Sequence, residues 1–377
     1  MRINKKIVFL SGTRADFGKI KSLIQVLENN EEFTPSIFVT GMHLMEKYGY
    51  TLIEIERSNF SNIHTFSNHT SETTMELTLA KTIEGFSEYV KMIEPDLIIV
   101  HGDRVEALAG AIVGSLNNIL VAHIEGGEIS GTIDELIRHS VSKMSHLHYV
   151  SNMFAKQRLI QMGELESSIK IIGSPDVDIM FSNNLPSFDE VKKYYEIDYD
   201  TYGIAMLHPV TTEYKMTENY VRNFVDALLE DTKNFVVIYP NNDLGSELIL
   251  NEYKRLEDNP RFRIIPSVRF EYFLILLKKS EFIIGNSSAG IREAPYYGVP
   301  TINIGTRQEN RALHTHIINT DYKKTAILQT LNSKFKKFNK DMSAYGKGNS
   351  SQLFLESLLK ESTWELNHQK QFVDIKN

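Results

Sequence analysis

Short apolar runs alternate with amphipathic stretches along nearly the whole chain. KIVFL (6–10) leads into SGTRADFG and the amphipathic KIKSLIQVLEN. PSIFVTG (35–41) predicts a second strand, residues 74–93 a long helix, and DLIIV (96–100) a buried strand. RVEALAGAIVGSL reads as helix, ILVAHI as strand and TIDELIRHSVSKMS as helix. HLHYVS and IKIIG are two short strands flanking the helix MFAKQRLIQMG. Repeated strand–helix units of this kind build a parallel sheet with helices on both faces.

The rhythm pauses after IIGSPDVD. FSNNLPSFDE (181–190) is polar, carries a proline and reads as a linker. The alternation then restarts with YGIAMLHP (202–209), FVVIYP (235–240), RIIPSV, the helix RFEYFLILLKKS, FIIGNSS (282–288), the helix AGIREAPYYG and PTINIG (300–305). Helical patterns follow at 323–338 and 350–362, then a tail with the single tryptophan, Trp364. The expected class is α/β with two Rossmann-like domains. The first spans 1–180 and takes back the C-terminal tail at about 360–377; the second spans 181–359.

Composition changes this picture little but excludes several chemistries. A net charge of −7 without a long basic run argues against a nucleic-acid surface, while local cations can still hold a small anionic ligand. The absence of cysteine removes disulfides, thiolate catalysis and Cys-ligated metal. The apolar run in MRINKKIVFLSG is too short for a signal segment and fits a first strand. No run of about 18 apolar residues is present, so no membrane span is expected, and the protein reads as cytoplasmic.

Charge is concentrated where apolar runs end. HIEGGEISGTIDELIRHS (123–140) packs Glu125, Glu128, Asp134, Glu135 and Arg138 around a glycine turn, and IIVHGDRVEALAG carries Asp103 and Arg104 just upstream. Successive parallel strands lie about 4.8 Å apart and their C-terminal ends share one edge, so Asp103, Glu125 and Asp134 can reach one substrate. Asp134 and Arg138, four apart on a helix, suit an ion pair. His101 and His123 sit inside apolar runs and read first as satisfied core histidines, while their proximity to Asp103 and Glu125 keeps a site role open. The first turn, SGTRADFGK, lacks both the dinucleotide and the P-loop glycine patterns, yet places Arg14 at a helix mouth. In the second half, GNSSAGIREAP offers Ser287, Ser288 and exposed amides for phosphate, with Glu293 further along for a ribose diol. His208, Asn241 and Arg307 each follow a strand. No metal-ligand spacing appears, and neither metal nor cofactor is expected.

The blocks SGTRADFGK, TGMHL, HGDR, HIEGGE, DELIRHS, HPVTTE, PNND, GNSSAGIREAP and GTRQ stand together in an order that resembles the UDP-N-acetylglucosamine 2-epimerase family, nearest its hydrolysing branch. The resemblance implies a glycosyltransferase-B fold, two Rossmann-like domains facing across a cleft. It implies conversion of UDP-GlcNAc and water to ManNAc and UDP, the first step of sialic acid biosynthesis, in a homodimer or homotetramer. It assigns Asp103, Glu125 and Asp134 as catalytic carboxylates. It assigns Arg14, His208, Asn241, Ser287, Ser288, Glu293 and Arg307 to UDP, with Val268 at the base. His43, Arg104 and Arg138 join the substrate-binding set. Relatives in the same branch process UDP-diacetamido sugars, and the same fold also serves non-hydrolysing epimerases and UDP-sugar glycosyltransferases.

Overall fold

The structure, a computed structural model, describes residues 4–69, 74–130, 133–309, 316–333, 335–338 and 345–374. Thr132, and Asn310 and Arg311 of the GTRQENR run, lie outside the described residues. The chain divides into two compact units. Met1–Glu128, Asp134–Asn183 and Ser343–Asn377 form the first; Ile129–Ile133 and Asn184–Met342 form the second.

The first unit holds β1 (Lys5–Ser11), β2 (Phe33–Val39), β3 (Ile63–Thr65), β4 (Leu97–His101), β5 (Leu120–Ile124), β6 (Leu147–Val150) and β7 (Ile169–Ile171). They pair in parallel in the order β3-β2-β1-β4-β5-β6-β7. The direction of strand addition reverses between β1 and β4, and open α/β sheets bind ligands at the carboxyl ends of the strands at such a switch point. Ile7, Phe9, Ile37, Leu97 and Ile99 are buried against Phe17, Ile20, Leu23, Ile24 and Leu27 of the helix Arg14–Glu28. That helix starts where it does because Thr13 caps it, its side chain accepting from the Asp16 N–H at 3.1 Å.

The C-terminal return begins earlier than the sequence pattern placed it. The helix Ser350–Leu358, expected in the second domain, buries Phe354 and Leu358 in the first unit's core, and the first unit resumes at Ser343 rather than near 360. Each such side chain contributes roughly 1.5–3 kcal/mol when fully buried, which decides the helix's side. Asp178 fixes its start by accepting from the Ser350 and Ser351 N–H groups at 2.8 and 2.7 Å. Trp364 follows, stacked on Phe33 with ring centroids 6.4 Å apart.

The second unit holds β8 (Gly203–Met206), β9 (Phe235–Ile238), β10 (Phe262–Ile265), β11 (Phe282–Gly285), β12 (Thr301–Ile304) and β13 (Ile317–Thr320). Their order, β10-β9-β8-β11-β12-β13, again all parallel, puts the switch point between β8 and β11. Ala205, Phe235, Val237, Phe282, Ile284 and Ile302 form the buried sheet face. The α/β class with two Rossmann-like units is therefore as the alternation indicated.

Two details differ. The linker predicted at 181–190 contains the start of a helix, Phe188–Tyr195, set by a capping box between Ser187 and Glu190. The single helix expected over 289–298 is two short ones, Ala289–Arg292 and Ala294–Tyr297, because Pro295 cannot donate to a continuous helical ladder. Among the described residues, no helix is long and apolar enough to cross a membrane.

Candidate active site

At the first unit's switch point, side chains from four segments meet around Glu125. This residue follows β5 and adopts a left-handed backbone, φ +65°, that a non-glycine residue rarely takes. Its N–H donates to the Tyr149 carbonyl at 2.8 Å, extending the β5–β6 ladder by one rung. The two glycines after it are there for closeness: a Cβ at Gly126 would stand 2.8 Å from Ser142 Oγ, and one at Gly127 would stand 2.3 Å from the Ala155 carbonyl oxygen. The Glu125 side chain is 4% exposed. Its Oε2 lies 3.1 Å from His101 Nε2 and 3.6 Å from Lys19 Nζ, while Oε1 accepts from the Ser174 hydroxyl. Lys19 also lies 3.3 Å from Asp176, which opens the helix Pro175–Met180.

Three buried histidines border this edge, and the structure separates them. His123 is satisfied as the sequence suggested: Nδ1 meets Ser142 Oγ at 2.9 Å and Nε2 meets the Gly102 carbonyl at 2.8 Å. Burial brings its pKa down to about 3, so it is neutral. His43 is likewise neutral, lowered to about 4 by burial, and its ring nitrogens meet the Ser11 and Thr51 hydroxyls at 2.9 and 2.7 Å. With no exposed surface and both ring nitrogens engaged, His43 braces the β1 turn. His101 departs from the core-histidine reading. Its Nδ1 lies 3.5 Å from Asp16 and its Nε2 faces Glu125. Burial alone would depress it, but those two carboxylates outweigh burial and hold it above its ordinary value.

Asp103, after β4, forms an ion pair with Arg138, whose guanidinium also donates to the Glu128 carbonyl at 3.2 Å. Arg138 thus ties the helix Ile133–Met144 to the ends of β4 and β5. Asp134 stands in the first turn of that helix, half-buried. Arg104 occupies the position just before the helix Val105–Leu116 and lies 3.7 Å from buried Glu106, and Arg14 lies 3.7 Å from Glu54. Asp103 and Glu125 therefore stand at adjoining strand ends in two networks, Asp103 with Arg138 and Glu125 with His101, Lys19 and Ser174.

The second unit's switch point is organised by Asn286, a fully buried side chain. Its Oδ1 accepts from the His208 N–H at 2.7 Å, its Nδ2 donates to the His208 carbonyl at 2.8 Å, and its own carbonyl accepts from Arg307 at 3.3 Å and Gln308 at 3.1 Å. Gly285 just before it has φ +134°, and a Cβ there would fall 1.9 Å from the Met206 carbonyl oxygen. The Asn241 N–H donates to His208 Nδ1 at 3.0 Å. In the neutral ring this leaves the proton on Nε2, a donor for an anionic ligand. Ser287 and Ser288 are half-buried, and Ser287 Oγ accepts from the Ala289 N–H at 3.3 Å. Glu293 lies at the junction of the two short helices, and Val268 is 9% exposed beyond β10. The structure brings His208, Asn241 and Arg307 together through Asn286; Ser287 and Ser288 follow Asn286 directly, Glu293 closes the short helix they lead into, and Val268 stands after β10.

The model of the UDP-N-acetylglucosamine 2-epimerase family matches residues 25–359. The chain belongs to this family. A UDP-N-acetylglucosamine 2-epimerase of Neisseria meningitidis is 48% identical over 98% of this chain and 99% of its own. A UDP-N,N'-diacetylbacillosamine 2-epimerase (hydrolyzing) of Legionella pneumophila is 35% identical over 92% of this chain and 94% of its own. The polysialic acid biosynthesis protein P7 of Escherichia coli is 35% identical, covering 87% and 85%. Among solved structures, the UDP-GlcNAc 2-epimerase of Methanocaldococcus jannaschii, solved with UDP-GlcNAc and UDP, aligns with a TM-score of 0.79 at 24% identity, covering 94% of this chain and 99% of that one. It shares the fold of this chain.

For this 2-epimerase family member, sequence reasoning did not single out Asp16, Lys19, Ser174, Asp176 or the Asn286 side chain. One signal was available for the first pair: Asp16 and Lys19 are three apart in SGTRADFGK and so share a helical face. His101 was kept in view by its closeness to Asp103 and Glu125, but a histidine ending an apolar strand looks the same whether its neighbours are hydroxyls or carboxylates.

Proposed function

We propose that the protein is a hydrolysing UDP-GlcNAc 2-epimerase that converts UDP-GlcNAc and water to ManNAc and UDP in sialic acid biosynthesis, working in the cytoplasm as a homodimer or homotetramer. The observation that carries the reading is the placement of Asp103 and Glu125 at adjoining strand ends, with Asp134 on the helix that follows, in a member of this family. The 48% identity to a UDP-GlcNAc 2-epimerase favours that substrate. The hydrolysing outcome draws on the Legionella relative, whose name states it, and its diacetamido sugar is the second reading of the substrate.

The chemistry explains why carboxylates are needed. C2–H of the sugar has no adjacent carbonyl, so deprotonation must accompany loss of UDP, when developing positive charge at C1 acidifies it. In α-linked GlcNAc, O1 and H2 are axial on opposite faces, which suits anti elimination to 2-acetamidoglucal. Water then adds at C1 while a proton reaches C2 from the other face. Groups whose proton affinities are set apart by their neighbours serve those steps. In the second unit, His208 Nε2–H, Arg307 and the Ser287–Ser288 turn would hold the departing diphosphate, with Glu293 at the ribose and Val268 at the base. Arg14, Arg104 and Arg138 would hold substrate in the first unit, Arg138 while keeping Asp103 ionised.

Proton NMR of the purified protein with UDP-GlcNAc in D2O tests this. Free ManNAc with deuterium at C2 is expected. Retention of the C2 proton and the gluco configuration would indicate a glycosyltransferase acting as a slow hydrolase, and C2 exchange with the sugar still on UDP a non-hydrolysing epimerase. Running UDP-N,N'-diacetylbacillosamine beside UDP-GlcNAc separates the two substrates.

A further inference from the structure

We propose that His101 is a positioning residue for Glu125: held between Asp16 and Glu125, it stays an imidazolium, keeps Glu125 ionised and fixes the plane of its carboxylate. The kinetic arm of its test rests on the reaction proposed above; the charge on His101 does not.

Geometry carries the inference. His101 Nε2 is 3.1 Å from Glu125 Oε2, and Nδ1 is 3.5 Å from Asp16 Oδ1. A neutral imidazole has a single N–H and would turn a lone pair toward one of the two carboxylates. Only the doubly protonated ring faces both favourably. The surrounding charges point the same way. Helix Arg14–Glu28 contributes Asp16 and Lys19, the turn after β5 contributes Glu125, and helix Pro175–Met180 contributes Asp176, with Lys19 Nζ at 3.6 Å from Glu125 and 3.3 Å from Asp176. Arg104 acts on Asp16 from the end of β4. His123, on the adjoining strand, adds no charge, being turned to Ser142 and the Gly102 carbonyl. A charged His101 adds a cation between Asp16 and Glu125, beside the ammonium of Lys19.

The consequence for Glu125 is specific. Both of its oxygens are engaged by donors, Oε2 by His101 and Lys19 and Oε1 by Ser174, and its backbone is held at φ +65°. A carboxylate gripped on both oxygens stays ionised and in one orientation. Loss of the His101 proton at alkaline pH would remove a donor from one of the flanking carboxylates, and turnover should fall as pH rises. Asp16 sets where that happens, because its charge favours the imidazolium.

The test uses the full chain with ¹³C-labelled histidine. The His101 Cε1 signal is assigned by its loss in His101→Gln and followed through a pH titration of the substrate-free protein. It should titrate above the ordinary 6.5 in the wild type, and lower than that in the isosteric Asp16→Asn. In turnover, the alkaline limb of kcat should move down with it in Asp16→Asn while UDP affinity stays unchanged. His101→Gln, which keeps an N–H for Glu125, should lose the limb and retain more activity than His101→Ala. A His101 signal titrating at or below 6.5 overturns the proposal. So does an alkaline limb that Asp16→Asn leaves in place, which would assign His101 to packing alone. If instead no ManNAc forms while His101 still titrates as stated, the reaction assignment fails and the charged histidine stands.

Discussion

The two sheets share one strand order, and their switch points are built from opposite materials. Around β1, β4 and β5 the groups are ionised and paired: Asp103 with Arg138, Asp16 and Glu125 with His101, Lys19 with Glu125 and Asp176. Around β8 and β11 a neutral amide, Asn286, is bonded to backbone groups of His208, and its own carbonyl receives Arg307. The same topology supports either because strand ends only bring residues to an edge; the residues decide what happens there. Groups that trade protons need neighbours that set their affinity, which the ion pairs of the first edge provide. A site that holds an anionic ligand needs donors fixed beforehand, which amide-to-backbone bonds provide at low conformational cost.

The largest effect should come from removing charge at the first edge. Asp103→Asn, Glu125→Gln and Asp134→Asn should each lose about 10²-fold or more in kcat, the scale of a general acid or base. Near-normal turnover in any one of them, read by ManNAc release, removes that residue from the catalytic set and weakens the contrast.

Next comes the clasp of the second edge. Asn286→Ala strips partners from the His208 N–H and carbonyl, and each buried group left without a bond costs about 1–3 kcal/mol. Titration calorimetry should show UDP affinity reduced by roughly tenfold to a hundredfold, with kcat at saturating substrate much less affected. A drop in kcat at constant affinity would mean that the second edge also takes part in chemistry. Glu293→Ala should have an effect of the same size, a loss of roughly 1.5–3 kcal/mol in UDP affinity, followed by Ser288→Ala at about 1 kcal/mol.

The two edges differ in how far the sequence revealed them. The alternation of apolar runs gave the class and eleven of the strands now seen, because a strand buried on both faces must be apolar throughout. It missed β3 and β13, whose IHT and IINT mix polar with apolar residues and so offer no apolar run. The strand-end positions of Asp103 and Glu125 were legible since charge directly after an apolar run is unusual; Arg138 was picked out for a pair with Asp134 on its own helix, and its pairing with Asp103 has no local signature. Asp16 and Asp176 were not legible, because they come from distant segments that only the fold brings to Glu125. Asn286 was visible as the end of a strand, but its contacts with His208, 78 residues away in sequence, have no local signature. The C-terminal return was anticipated from Trp364, yet the helix Ser350–Leu358 was assigned to the wrong unit, since its Phe354 and Leu358 fit either core by composition.

The effect expected away from both edges is on stability and not on turnover or affinity. Lys370 donates to the carbonyls of Ser142, Lys143 and Ser145 at 3.1, 2.9 and 2.6 Å, closing the C-terminal end of the helix that carries Asp134 and Arg138. It also pairs with Glu164, which His148 reaches at 3.0 Å. Burial pushes Glu164 up, but His148 and Lys370 outweigh it and bring its pKa down to about 2. A depressed carboxyl contributes stability above its ordinary 4.5 that is lost as pH falls toward about 2. Lys370→Met should cost about 1–2 kcal/mol, seen as a lower Tm at neutral pH and as acid unfolding displaced to higher pH. An unchanged acid transition would show that His148 and Lys143 hold Glu164 without Lys370.

The division between the edges is tested most directly by titrating UDP into the triple variant Asp103→Asn/Glu125→Gln/Asp134→Asn, its fold checked by circular dichroism. UDP affinity equal to that of the wild type is expected, in a protein that no longer forms ManNAc. Loss of UDP binding in the folded triple variant would contradict the division and make the first edge part of the nucleotide site.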